Sequence, residues 1–458
     1  MSKSKEIQIQ QFRFNWYETN IARFLSKYRL PISYQDDFLQ FISAYKKQFL
    51  SDFKTLLLAG EIPGYPIEIY NEIEKLYPFI EHLFDKIILV ISYWESGELS
   101  NAESTINELL SNVSKEFCLT TNVDKNLFRV RVPNTNDNFS NQPLSLFHIP
   151  YHSRHWARND RYNMAGRPCL YLSSRLNLAW KECGMPNSFY YAKFENKMYN
   201  NPNWQYLYFP SPQEVKNILV GSINEDAWKF IIKYLRSYPL IFICSIVNMH
   251  HDKPYKPEYI FPQLLMQWIE RNFDTIKGIV YFPCVDYDDI RFWKGYNVVL
   301  PAKNIDSDGY SLTLKNAFNI ANPIYQDNTL SDKSIKTILD LQTKLSKFMI
   351  PQNELGDCLY NMDLIMSRTV KLTKRVMSID SLISLSYIEM LLNEMFDFKE
   401  KFPLTNVIQE CRNSDTYQDR YEKSYLKFTE LYQDFMKVIE IVDSYFAYLD
   451  RGFEIEKP

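Results

Sequence analysis

Apolar side chains recur at three- and four-residue spacing over residues 35–58, where Phe38, Phe41, Ile42, Tyr45, Phe49, Phe53, Leu56 and Leu57 form one stripe ahead of Gly60 and Pro63. That period predicts an amphipathic helix which the glycine and proline end. A second helical pattern runs from about Ile67 to Trp94 and a third over 102–115, so residues 1–124 read as a helical N-terminal domain. The period then changes. LFRVRVP at 127–133 alternates apolar with polar and leads into PNTNDNFSNQP, a strand followed by a turn-rich loop. CLYLSS (169–174), FYYAKFE (189–195), WQYLYF (204–209), LIFICSIV (240–247), GIVYF (278–282) and YNVVLP (296–301) read as further strands with helices between some of them. From about 330 the helical period returns, most clearly as Tyr425, Phe428, Tyr432, Phe435, Ile439, Val442, Phe446 and Leu449. A stripe that sustained needs a partner surface, most simply another helix of a bundle. The expected architecture is α+β, with an α+β domain at 125–308 between a helical domain at 1–124 and a helical bundle at 309–458.

A chain of 458 residues exceeds what one hydrophobic core normally serves, and 46% hydrophobic with 16% aromatic residues excludes a disordered protein. Only 11 glycines are present, and neither GxGxxG nor GxxxxGK[ST] occurs, which sets aside Rossmann and P-loop readings. The net charge of −3 gives no general attraction for nucleic acid or anionic membrane. The N-terminus lacks an apolar signal core, and the longest apolar runs are too short to span a bilayer. Seven scattered cysteines without a CxxC pair suit a reducing compartment. The expectation is a soluble cytoplasmic protein with no structural metal.

One local charge anomaly changes this picture. Between Asn138 and Lys181 lie Arg154, Arg158, Arg161, Arg167 and Arg175 against a single acid, Asp160, together with His148, His152 and His155. Such a segment either meets a phosphate-bearing ligand or forms a solvated basic face. The histidine spacing matches no standard metal motif, and loop or core roles are expected for them. Arg129 and Arg131, two apart on one strand, share a face while Phe128, Val130 and Val132 take the other. Both guanidiniums then either grip a pyrophosphate or face water and nearby acids. Within 161–186 the pattern is loop, strand, then a helix over Arg175–Cys183, with Ser173 or Ser174 as its cap and Gly184 at its end. Glu182 shares a face with Leu178 and Ala179, where a carboxylate either stabilises positive charge on a sugar or forms a helix-end salt bridge.

In order, LFRVR, RYNMAGRPCLYLSS, LAWKE, then GIVYFPCVD with YNVVLP resemble the blocks of the RES domain family, over roughly residues 125–305. The resemblance implies an ADP-ribosyltransferase-like fold and an enzyme that degrades NAD by hydrolysis or phosphorolysis, a bacterial toxin or defence effector restrained by an antitoxin. By position, Arg129 matches the family arginine, Arg161 the loop arginine, Tyr171 the strand tyrosine and Glu182 the glutamate. Cys284 stands where the family has serine, and a thiol is the weaker donor: either a divergent subgroup tolerates it, another side chain such as Ser245 substitutes, or activity is reduced. Tyr162 replaces the usual tryptophan. The resemblance gives Arg129 and Arg161 the diphosphate, with Arg131, Tyr162 and Ser173 also lining the NAD site. It has Tyr171 stack on nicotinamide, Glu182 stabilise the oxocarbenium-like transition state and Cys284 sit near the nicotinamide ribose. NAD is the substrate and no further cofactor is implied. The alternatives are ADP-ribosyl transfer to a macromolecule, or a degenerate domain that only binds a nucleotide or partner. The helical flanks then serve control, homo-oligomer formation or plain scaffolding.

Overall fold

The computed structural model describes residues 22–327, apart from 29, 36, 59–73, 112–115, 133–141, 185, 187, 212–213, 216–224, 250–252 and 285–294. The C-terminal stripe, and with it nearly all of 309–458, lies outside the described residues, as do His250, His251 and the first part of the second helical pattern. The architecture is α+β. Four helices come first, α1 (Ala22–Lys27), α2 (Phe38–Leu58), α3 (Leu76–Glu95) and α4 (Leu99–Leu109). There follow β1 (Leu119–Thr120), β2 (Asn126–Arg131), β3 (Cys169–Ser173), α5 (Leu176–Glu182), β4 (Ser188–Asn196) and β5 (Gln205–Phe209). Then come α6 (Glu225–Cys244), α7 (Ile260–Arg271), β6 (Ile276–Tyr281), β7 (Asn297–Pro301), α8 (Leu312–Ala317), β8 (Phe318–Ile320) and β9 (Ile324–Asp327).

The nine strands form one sheet in the order β1-β5-β6-β7-β3-β2-β4-β8, with β9 also on β4. All pairs are antiparallel except β5 with β6. The sheet therefore runs past residue 308, since β8 and β9 both pair with β4. A Cβ added at Gly278 would lie 2.2 Å from the Val299 carbonyl oxygen, so the close approach of β6 to β7 requires glycine there. Residues alternate along β3 and β7. Leu170, Leu172, Val298 and Leu300 join a core with Leu127, Ala192 and Phe194 on one face. On the other, Cys169, Val299 and Ile279 join a larger core with the helices.

That larger core takes in the N-terminal helices without a break, from Phe24, Phe49 and Phe84 to Tyr238 and Phe242 of α6. Tyr45 stacks on Phe242 at 4.0 Å between ring centroids, and the Tyr238 hydroxyl donates to the Tyr28 carbonyl at 2.9 Å. Ile32 forms a parallel bridge with Ile246, and the Val247 N–H donates to the Ile32 carbonyl at 2.9 Å.

Two local expectations are corrected. LIFICSIV is not a strand: Leu240–Cys244 is the last part of α6, wholly buried, with Pro239 inside the helix. A short apolar run buried on every side has no period to distinguish strand from helix, and the helical stretch before it decides. Val132 does not enter a core, since it lies beyond the end of β2 and is exposed.

Candidate functional site

β2 and β3 share a single registered pair, Phe128 with Ser173, although β2 pairs with β4 at six positions. A cleft of about 500 Å³ opens where this ladder fails, and consecutive residues of both strands line it: Phe128, Arg129 and Val130 from one, Tyr171, Leu172 and Ser173 from the other. A gap between two strands exposes residues in this way, because each side chain and its neighbour's backbone both face the opening.

Arg129 lines the cleft with its Nη1 buried and without a hydrogen-bond partner among the described residues. Burial, and next the charge of Arg131, press the guanidinium pKa down to about 10. An unpaired cation in this setting is costly unless an anion joins it. Arg161 lies on the far wall, where its Nη1 donates to the carbonyls of Cys244 at 3.2 Å and Ile246 at 2.8 Å and its guanidinium lies 5.2 Å from the Tyr259 ring centre. The Cys244 carbonyl is the last of α6, a helix C-terminus that favours a cation, and Ile246 follows two residues beyond.

Glu182, the last residue of α5, projects into the same cleft. Gly184, at φ +80°, follows just past the helix end and allows the chain to turn away, as the sequence suggested. The Glu182 side chain is open to solvent through the cleft mouth but hemmed in by protein elsewhere, so burial raises its pKa. The Asn297 hydrogen bond and the charge of Arg161 oppose that rise. Asn297 Nδ2 donates to Glu182 Oε1 at 2.9 Å, while its Oδ1 accepts from Ser173 Oγ at 2.5 Å. The serine thereby fixes which way the amide points. Neither Ser173 nor Ser174 caps α5. The N-cap is Arg175 without a side-chain bond, and Ser174 Oγ accepts instead from the Tyr296 N–H at 2.9 Å.

Tyr171 is held by its hydroxyl, which donates to Asn163 Oδ1 at 2.7 Å. Cys284 lines the cleft with its sulfur 3.6 Å from the carbonyls of Cys244 and Phe282, and burial raises its pKa, keeping it a thiol at neutral pH. Ser245 lies beside it, buried, with its hydroxyl donating to the Ile241 carbonyl at 2.6 Å.

The fold thus brings Arg129, Arg161, Tyr171, Ser173, Glu182 and Cys284 to one cleft. It does not bring Arg131 or Tyr162 there. Arg131 stands opposite Tyr190 at the end of β2. Tyr162 is buried behind the wall with its ring 4.8 Å from that of Tyr281, which does line the cleft. His148 is also structural. Its Nε2 accepts from the Ser311 N–H at 2.8 Å, Nδ1 meets the Ile149 carbonyl, and burial lowers its pKa to about 4, so it is neutral. His152 and His155 are exposed. Sequence reasoning did not single out Asn297, Asp160, Asn248 or Tyr259. The signal for Asn297 was a lone amide opening an otherwise apolar strand, NVVLP, buried at every position.

The chain is 26% identical over 287 residues to a protein of Bacillus subtilis (strain 168) named "Putative toxin YopC". The matched region is 60% of this chain and 64% of that protein, so the chain spans less than two thirds of its relative's length. No family model matches the chain, and no solved structure matches it.

Proposed function

We propose that the cleft binds NAD and cleaves the bond between nicotinamide and ribose, and that the chain acts as a toxin through loss of NAD. One observation carries this reading: Arg129, whose buried Nη1 has no hydrogen-bond partner among the described residues, and Glu182, a carboxylate steered by an amide, share one cleft although 53 positions separate them. A cleft of about 500 Å³ falls within the range of cofactor sites. The order of RES-like blocks and the toxin name borne by a distant relative support the same reading.

In this scheme Arg129 and Arg161 neutralise the diphosphate, and Tyr171, anchored by Asn163, offers its ring to nicotinamide. As the glycosidic C–N bond breaks, its electron pair leaves with nicotinamide and cancels the pyridinium charge. Positive charge builds on the ribose, where the Glu182 carboxylate stabilises it. Water or phosphate then forms the new bond at the anomeric carbon and gives its proton to solvent. Cys284 is a weak donor at the edge of this region, and the stronger polar contacts come from Asn297 and Ser173.

The test is release of free nicotinamide from NAD, with and without phosphate, by the wild type and by Glu182→Gln. Release that depends on Glu182 supports the reading, and dependence on phosphate selects the acceptor. Intact NAD after prolonged incubation of the folded wild type under both conditions refutes it.

A further inference from the structure

The cleft holds a second carboxylate that this reaction leaves unused. Asp160 lies on the loop before β3, where backbone hydrogen bonds of 3.0 and 3.3 Å to and from Asn163 turn the chain back on itself. The loop is pinned from behind. Gln263 of α7 donates its amide to Asn159 Oδ1 at 2.6 Å and to the Asp160 carbonyl at 2.9 Å, and Asn163 Nδ2 donates to the Arg158 carbonyl at 2.7 Å. Asp160 is therefore fixed in position and exposed at the cleft wall, and it forms no ion pair among the described residues.

Glu182, Asp160, Arg129 and Arg161 all line this cleft. The charge of Arg161 acts on Glu182, and that of Arg129 acts on Asp160. Arg161 itself turns away from its neighbour Asp160, toward the end of α6. Two acids and two arginines in one cleft are the groups that the two sugars and the diphosphate of a dinucleotide complement. A carboxylate has two acceptor oxygens and no donor, which matches the paired hydroxyls of an unmodified ribose and opposes a phosphate in their place.

Resting on the NAD reading above, we infer that Asp160 receives the vicinal hydroxyls of the adenosine ribose and refuses a phosphate there, so that the site takes NAD and excludes NADP. The charges of Lys256 and Arg158 both act on Asp160. With the carboxylate gone, those cations would attract the extra phosphate, so its removal should favour NADP and not merely weaken both ligands.

The experiment is calorimetric titration with NAD and with NADP in phosphate-free buffer, using Glu182→Gln to preserve the ligand and the double variant Asp160→Asn, Glu182→Gln. Nicotinamide release by the wild type is measured in parallel, and melting curves check folding. The single variant should bind NAD at least about tenfold more tightly than NADP, and the double variant should lose or reverse that preference. Equal binding of the two ligands by the single variant overturns the inference without recourse to the second substitution, and so does an unchanged ratio in the folded double variant. Release with no discrimination leaves the reaction standing and removes the role of Asp160. Discrimination without release does the opposite, and no binding of either dinucleotide together with no release overturns both.

Discussion

Replacing Arg129 by methionine gives the most direct test of a guanidinium that awaits an anion. The substitution removes the charge and keeps an unbranched side chain of similar reach. The fall of the arginine pKa to about 10 corresponds to roughly 3 kcal/mol of disfavour for the charged form in the folded chain. The sign follows from the cation: its folded-state pKa is lowered, so the cost is present wherever the group is charged and fades only as pH rises through about 10. At pH 7 the variant should therefore be the more stable protein without ligand, by about 1–3 kcal/mol once its lost attraction to Asp160 and the cleft water are allowed for. Thermal melting in the presence and absence of pyrophosphate reads both halves of the argument. The variant should melt higher than the wild type without the anion, and pyrophosphate should raise the melting temperature of the wild type alone. A variant that melts lower in the absence of any anion would refute the reasoning, because it would mean that Arg129 is already satisfied within the fold.

Asn297→Ala removes the donor that holds Glu182 Oε1 and lowers its pKa. Nicotinamide release should fall by about 10- to 100-fold, and the acid limb of the pH–rate profile should move to higher pH; an unmoved limb would separate Asn297 from Glu182. Glu182→Gln should raise the melting temperature at pH 8, since a carboxyl whose pKa is raised on folding loses stability as pH increases through that value. The gain should vanish toward pH 4, and a constant difference across the range would discount the burial argument. Cys284→Ser exchanges a weak donor for a strong one beside the cleft, and nicotinamide release should be equal to or above that of the wild type; a large loss would show that the sulfur has its own role. Tyr34→Phe deletes the 3.1 Å hydrogen bond to Glu258 Oε2 and leaves both oxygens of a buried carboxylate unpartnered, since Oε1 has no partner among the described residues. Denaturant unfolding should show a loss of about 1–3 kcal/mol.

The strands around the cleft were legible because each carries a period or a block bounded by turn residues. LFRVR, CLYLSS and NVVLP appear as β2, β3 and β7 within a residue or two. The stripe from Phe38 to Leu56 was equally plain, since a helix that packs on one side repeats its apolar residues at a fixed angle. α6 was misread for the opposite reason, because its last turns are apolar on every side. Arg129 and Arg131 share a side of β2, but the cleft is local to the broken β2–β3 ladder, and a strand pattern does not show where a ladder fails. Asp160 lay in plain view as the lone acid of a basic segment. Its place in the wall depends on Gln263, which is 103 positions away, and no local pattern records such a contact.

The contact between Ile32 and Ile246 sets a time as well as a place. Arg161 takes its position from carbonyls that this contact helps to fix, and Glu182 takes its own from Asn297, 115 positions later. On a ribosome, which makes the chain from its N-terminus, the arginine and the glutamate are both present long before the residues that aim them. The cleft comes into being only when β7 has emerged and closed onto β3, so a nascent chain carries its chemistry unassembled until Asn297–Pro301 has been made. If the cleft cleaves NAD as proposed, such a delay keeps the half-made chain harmless to the cell that is making it.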